Sequence, residues 1–358
     1  MKKVFAVMLF IAILFSLAAC RGTVDPVTEP TNAPTSAPTA APTAEPTTEP
    51  YGRPELVEYP MPLDLGSLSP LFSIPVVEYD IYDAERDRER VVMRGEYADN
   101  GYLLNAEGPA DYDVSDGKLM VLDVFAGLIR VFDIETREWV RNIDVSEVGL
   151  DPETNRGRLA YYDGRYFVYS SKSGAVVSFG EDGSVSERMN VPAGKGGRLM
   201  VLGGRLYLVA SGIGKPRTND YLYSDGGFTA CDPVLRSQSS EETVVIEGFG
   251  FTWTIEKLDD QDEITLLGVD ENGDLYLRYS AKFWDADFEE HIEEYLLVYD
   301  KESRLVAAND YGEKEGFVIF VDTEIRMKDT ETAYLLIGTA RDIRLYEIPF
   351  MADESQWW

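Results

Sequence analysis

Two stretches of this chain lie on each other without a gap. DGKLMVLDVFAGLIRVFDIET, starting at Asp116, and DGRYFVYSSKSGAVVSFGEDG, starting at Asp163, align at an offset of 47 residues. Asp116 falls on Asp163, Gly117 on Gly164, Leu119 on Tyr166, Val121 on Val168, Gly127 on Gly174 and Phe132 on Phe179. Each copy reads as turn, strand, short loop, strand, turn, strand. Asp-Gly between alternating apolar runs is a strong local signal for a two-residue hairpin. Fainter copies follow. GGRLYLVA from Gly203 and NGDLYLRY from Asn272 repeat the opening turn and strand, VYDKESR from Val298 echoes VFDIETR from Val131, and AYLLIGTARDIRLYEI from Ala333 carries a last echo.

A repeat of 40 to 47 residues built from antiparallel strands is the period of a propeller blade. A single blade cannot bury both of its faces, so blades must stack around an axis. The expected fold is therefore all-β, a β-propeller of six blades, over residues 55–358. The blades are expected near 76–104, 117–145, 164–191, 204–236, 273–308 and 334–348. The stretch 244–267 fits none of these and would make a seventh if it built its own sheet. A pair of β-sandwiches is the competing architecture. Long helical periodicity is absent, and the best helix candidate, Phe288 to Tyr295, is short.

The N-terminal region has a different composition. Lys2 and Lys3 precede an apolar run from Val4 to Ala19, which is too short for the ~20 residues of a bilayer span. Leu17-Ala18-Ala19-Cys20 closes the run. This end resembles the lipobox of bacterial lipoproteins, which implies cleavage before Cys20 and a diacylglycerol on its thiol, with residues 1–19 as the signal peptide. More than one acyl chain is needed for stable anchoring, and a diacylglycerol supplies two. Prolines then recur every fourth residue from Pro26 to Pro54 among Thr, Ala and Glu. Such a segment has nothing from which to build a core. Residues 20–54 are expected to be a disordered, extended tether with a reach on the order of 100 Å. Lipobox, stalk and Asp-Gly repeats together resemble the bacterial β-propeller lipoproteins. That resemblance implies attachment to the cell membrane on its extracytoplasmic side, and a ligand at the axial mouth where loops converge.

The formal net charge is −31, which argues against nucleic acid and against a domain lying on an anionic membrane. After Cys20 only Cys231 remains, so no internal disulfide forms and an inert buried thiol is expected. His291 is the single histidine, in the acidic run DADFEEHIEE, and it leaves no basis for a Ser-His-Asp triad or a zinc site. Asp270, Asn272 and Asp274 alternate around Gly273 as weak calcium candidates, but Asn-Gly there is also an ordinary hairpin turn. The glycine stretches Pro192 to Gly197 and Gly212 to Lys215 lack phosphate-loop spacing. Trp253, Trp284, Trp357 and Trp358 read as core or tail before they read as sugar platforms. No catalytic set, metal or cofactor is expected.

The sequence thus points to a membrane-anchored binding or scaffold protein for a protein, peptide or glycan. A carboxylate-dependent glycoside hydrolase is the alternative, and it requires acids converging at the mouth with at least one raised pKa. A two-lobed solute-binding lipoprotein is disfavoured by the scarcity of helix. Radiolabelled palmitate is expected to enter the expressed chain and to be lost in Cys20→Ser, with that variant leaving the membrane fraction. Label retained in Cys20→Ser would overturn the anchor.

Overall fold

The computed structural model describes residues 68–97, 103–153, 157–191, 197–209, 219–257, 263–270, 272–284, 290–310, 325–328, 332–338 and 341–349. Residues 1–54, on which the expected signal peptide, lipidated Cys20 and tether fall, lie outside these residues. The described residues form six small sheets arranged as a six-bladed β-propeller.

The first blade is β4 (Asp111–Ser115), β5 (Lys118–Asp123), β6 (Leu128–Asp133) and β7 (Glu138–Asp144), hydrogen-bonded in that order. The second is β8 (Gly157–Tyr162), β9 (Arg165–Ser170), β10 (Ala175–Gly180) and β11 (Val185–Asn190). The third is β12 (Arg198–Leu202), β13 (Arg205–Val209), β14 (Asp220–Ser224) and β15 (Gly227–Cys231). The fourth has three strands, β16 (Leu235–Ser239), β17 (Thr243–Gly248) and β18 (Phe251–Glu256). The fifth is β19 (Glu263–Val269), β20 (Leu275–Trp284), β21 (Glu290–Tyr299) and β22 (Leu305–Asp310). The sixth takes β23 (Ile325–Met327), β24 (Thr332–Gly338) and β25 (Asp342–Pro349) from the C-terminal side and β1 (Phe72–Glu78) from the N-terminal side. The hairpin β2 (Val91–Tyr97) and β3 (Leu103–Glu107) extends that sheet, with β2 parallel to β1.

The turns do what the repeat dictates. Asp116-Gly117 and Asp163-Gly164 both sit at positive φ, at 51° and 69° and at 50° and 71°. Two successive left-handed residues make the tight turn whose twist matches the flanking strands. Gly203-Gly204 and Asp225-Gly226 do the same.

Burial falls off outward along the first two blades. The second strands β5 and β9 are buried after their first residue, whereas β11 at the rim alternates exposed and half-buried. The apolar clusters lie between blades and run round the circle. Met120, Val131, Leu159 and Val168 fill the seam of blades one and two. Phe167, Val176, Leu199 and Leu208 fill that of two and three. Leu202, Ile246, Trp253 and Leu277 join three, four and five. Tyr276, Leu296, Leu335 and Tyr346 join five and six. Phe72, Ile74, Leu119 and Leu345 bring six back to one. The middle seam spans three blades because Gly203 N–H reaches Val269 O at 3.5 Å, so no strand of the fourth blade stands between β12 and β19 at that point.

Three sequence expectations are redrawn. Residues 76–104 are not a blade of their own, because β1 pairs with β25 and closes the ring. The stretch 244–267 is no seventh blade. Its first part belongs to the three-stranded fourth blade, which takes 235–236 away from the expected fourth unit. The described part of the Phe288 to Tyr295 stretch, from Glu290, gives no helix. Residues from Glu290 onward are strand, because β21 pairs with the whole of β20 from Leu275↔Tyr299 to Trp284↔Glu290. Ten cross-strand pairs outweigh a short stretch of helical preference.

One polar contact is as buried as the apolar seams. Arg130 and Asp123 have side chains with no solvent exposure and meet at 2.7 Å from Nε to Oδ2. Arg130 also donates to Arg88 O at 2.8 Å, and Asp123 accepts the N–H of Val92 at 2.9 Å. The pair therefore ties blade one to β2 and to the segment just before it. Burial pushes the Asp123 carboxyl up, against the pull of Arg130. Removing one partner strands a buried charge. Arg130→Ala is expected to cost about 3–5 kcal/mol in urea unfolding of the full chain, and Arg130→Met with Asp123→Leu less than that. Equal losses would show that the charge pairing is immaterial.

Candidate functional site

The first strands of blades one and two run side by side and in parallel. Asp111 Oδ2 accepts the N–H of Leu159 at 2.9 Å, and two residues on, Asp113 Oδ2 accepts that of Tyr161 at 2.7 Å. Two carboxylates on one face of β4 thereby supply the acceptors that the edge of β8 would otherwise lack. Asp111 Oδ1 also takes Arg326 Nη2 at 2.7 Å, and Arg326 Nε donates to Tyr112 O at 3.0 Å. The Tyr112 hydroxyl donates to Tyr334 O at 2.9 Å. Asp111 thus touches blades one, two and six.

Around it the starts of the first strands bring charge together. Arg158 is the second residue of β8, Arg198 the first of β12 and Arg326 the second of β23. Arg278, from β20, joins them, and the charges of Arg158, Arg326 and Arg278 all act on Arg198. Arg158 is buried, and Arg198, Arg278 and Arg326 are half-buried. Burial, with repulsion from Arg158 and Arg326 and a smaller contribution from Arg278, pushes Arg198 down to about 10 against the attraction of Asp111. It stays cationic at neutral pH. Arg326 behaves oppositely, because Asp111 and Asp113 overcome the effect of burial and raise it.

The local sequence explains how two of these arginines get there. Both follow a glycine at the strand start, in Gly157-Arg158-Leu159 and Gly197-Arg198-Leu199. A Cβ on Gly157 would stand 2.6 Å from Leu122 Cδ2, and one on Gly197 2.9 Å from Tyr169 Cε1. The glycine lets the strand start press onto the preceding blade, with the arginine beside it. The recurring Gly-Arg-Leu ahead of a turn was the signal available in the sequence, and composition and motif reasoning passed over it.

The residues singled out from sequence lie elsewhere. Asp270 Oδ1 accepts the backbone N–H groups of Asn272 at 2.8 Å and Asp274 at 2.9 Å, and Asp270 Oδ2 takes Asn272 Nδ2 at 3.3 Å. These residues form a side-chain-capped turn with Gly273 at φ 89°. Burial, then Asp270 and Asp300, raise the Asp274 carboxyl. Among the described residues no group of three or more His, Cys, Asp and Glu is arranged to hold a metal ion. Cys231 is half-buried rather than buried, and its thiol is pushed up by burial and by Asp220. The backbone of His291 pairs with that of Phe283. Trp253 is fully buried and donates to Gly273 O at 3.1 Å. Residues 192–196 of the first glycine stretch, the second stretch from Gly212 to Lys215, Trp357 and Trp358 lie outside the described residues.

Asp113 carries the clearest pH signature. Burial and, secondarily, Asp111 raise it to about 6, against Arg326 and the N–H groups of Tyr161 and Val114. An acid raised in the folded state holds its proton more tightly there than in the unfolded chain. Its contribution is full below the ordinary value of 3.8 and is lost as pH rises through about 6. Asparagine has no such loss. The stability of Asp113→Asn relative to wild type should rise by roughly 2 kcal/mol between pH 4 and pH 7, read from urea midpoints. A flat or falling difference would contradict the assignment.

No protein-family model matches the chain, and no curated protein matches its sequence. Among solved structures it is similar to a member of the duf4221 family from Bacteroides vulgatus, at 10% identity and TM-score 0.36, covering 78% of this chain and 100% of that one. Virginiamycin B lyase from Staphylococcus aureus is similar at 9% identity and TM-score 0.40, covering 72% and 100%. Glutaminyl cyclase from Myxococcus xanthus is similar at 10% identity and TM-score 0.33, covering 72% and 97%.

Proposed function

We propose that this chain is an exported, lipid-anchored binding protein, held by Cys20 and a proline-rich tether, whose propeller engages a protein, peptide or glycan of the cell envelope at one end of its axis. The observation that carries the reading is the clustering of Asp111, Arg158, Arg198 and Arg326, from four blades, at the starts of the first strands, with Arg278 of β20 near enough to act on Arg198. Sites built from several rigid strands are preorganised and need little ordering when a partner arrives. The lipobox and tether of the sequence supply the membrane attachment in this reading.

Glycoside hydrolysis is the second reading, and one observation favours it. Asp111 and Asp113 stand two residues apart on one strand face, roughly 7 Å by strand geometry, and Asp113 is raised to about 6. Against it, oxygens of both carboxylates are occupied by backbone N–H groups of the next blade.

Hydrogen exchange on the full-length protein separates the two. With solubilised bacterial envelope material, protection is expected at the starts of β4, β8, β12 and β23. Protection confined to the rim strands would overturn the binding site. Release of reducing sugar, abolished in Asp113→Asn, would replace the binding reading with hydrolysis.

A further inference from the structure

Strand β15 closes the third blade on its outer side, and among the described residues no strand pairs with its far edge. The outer strands of other blades carry charge: Glu107 in β3, Glu138 and Arg141 in β7, Glu187 and Arg188 in β11, and Asp310 in β22. Charge on an edge is one of the devices that keep other chains from pairing with it. β15 reads Gly-Phe-Thr-Ala-Cys and has neither charge nor proline. Thr229 and Ala230 are exposed, and the other three residues are half-buried.

The turn before β15 fixes which of its backbone groups point outward. Asp225 and Gly226 sit at positive φ, 50° and 80°, so Ser224 and Gly227 form the hydrogen-bonded pair that closes a two-residue hairpin. Hydrogen-bonded and non-hydrogen-bonded pairs alternate along an antiparallel ladder. Gly227, Thr229 and Cys231 therefore bond Ser224, Leu222 and Asp220. Phe228 and Ala230 turn their N–H and C=O groups away from the sheet. One face beside them is aromatic, with the Phe228 ring 5.4 Å from that of Tyr223 and 6.4 Å from that of Phe167. Acids stand beyond both ends of the strand. Asp225 and Asp232 are exposed, and Glu187 lies against the turn, its Oε1 2.8 Å from where a Cβ on Gly226 would be. Arg165 stands 4.0 Å from Glu187 and Arg236 3.9 Å from Asp232, so three acids face two guanidinium groups in a chain of net charge −31.

We propose that β15 takes an extended peptide as an added strand, with uncharged β-branched residues at its centre and Lys or Arg at its ends. The backbone groups of Phe228 and Ala230 supply the hydrogen bonds of such an addition, and alternate side chains of the peptide pack beside Phe228. The flanking acids select the charge of the peptide ends. They also disfavour a second copy of this chain, because antiparallel pairing about Thr229 would set Asp225 of one copy near Asp232 of the other. The surface belongs to an outer strand, goes beyond the binding reading above and does not depend on the mouth.

The test is residue-level hydrogen exchange on the full-length protein in detergent, with and without a capped synthetic peptide Lys-Thr-Val-Thr-Val-Thr-Lys. Without peptide, the Phe228 and Ala230 amides should exchange faster than those of Gly227, Thr229 and Cys231. With peptide, the first two should slow, and the same peptide ended in Glu should bind more weakly. Ala230→Pro removes one outward N–H and leaves the ladder to β14 intact, so it should weaken the Lys-ended peptide about fivefold or more. Asp225→Asn combined with Asp232→Asn keeps the edge and should narrow the difference between the two peptides. Urea midpoints of each variant separate lost binding from lost folding. Unchanged exchange at Phe228 and Ala230 in millimolar peptide, or equal binding by wild type and a folded Ala230→Pro, would overturn the proposal. So would a concentration-dependent doubling of mass without peptide that Ala230→Pro abolishes, since it would give the edge to a second copy.

Discussion

The Asp111 carboxylate is the contact through which the ring is held at its centre. One oxygen is committed to the backbone of the second blade and the other to an arginine of the sixth, while the residue itself belongs to the first. Two consecutive blades and a third distant from them in sequence therefore share one small anion. Apolar seams could slide, because the hydrophobic effect is non-directional. A charge-assisted hydrogen bond cannot slide without leaving a buried group unsatisfied. The seams supply the bulk of the stabilisation and the carboxylate fixes their register. Asp113 repeats the device one step along β4, at the price of a carboxyl held in a setting that disfavours its ionised form.

That economy shapes the mouth. The carboxylates that could have neutralised the surrounding guanidinium groups are engaged with backbone and with Arg326. Arg198 stands among other arginines, with the attraction of Asp111 set against them. Structural need and site chemistry are thus coupled: acids that align the first two blades are the same acids that set how much positive charge the channel presents.

The fold was legible where chemistry is local. Asp163-Gly164 announces its hairpin because two small or short polar residues tolerate positive φ, and the strands on either side alternate or run apolar as their depth demands. Blade membership was less legible. The pairing of β1 with β25 joins residues at opposite ends of the domain, and nothing near Phe72 encodes it. The fourth blade was hidden for another reason: its β17–β18 turn uses Phe249-Gly250, with φ of 52° and 83°, so an aromatic stands where Asp or Asn would have advertised the bend. The arginine mouth was missed because its members are single residues in four separate strands. Only the paired Gly-Arg-Leu starts give it a sequence trace, and the reason for the glycine lies in contacts with Leu122 and Tyr169 on neighbouring blades.

The ring closure by β1 has a mechanical consequence. The chain N-terminal to Phe72 leads directly into a strand whose partners Leu345, Arg344, Ile343 and Asp342 belong to the last blade. Traction applied from that side runs along β1 and loads the rungs of this ladder together, in shear, rather than peeling them one after another. The parallel contact of Val76 with Val91 shares the strain on the opposite edge. A domain hauled by its leading end is thus gripped through the joint that makes it a closed circle.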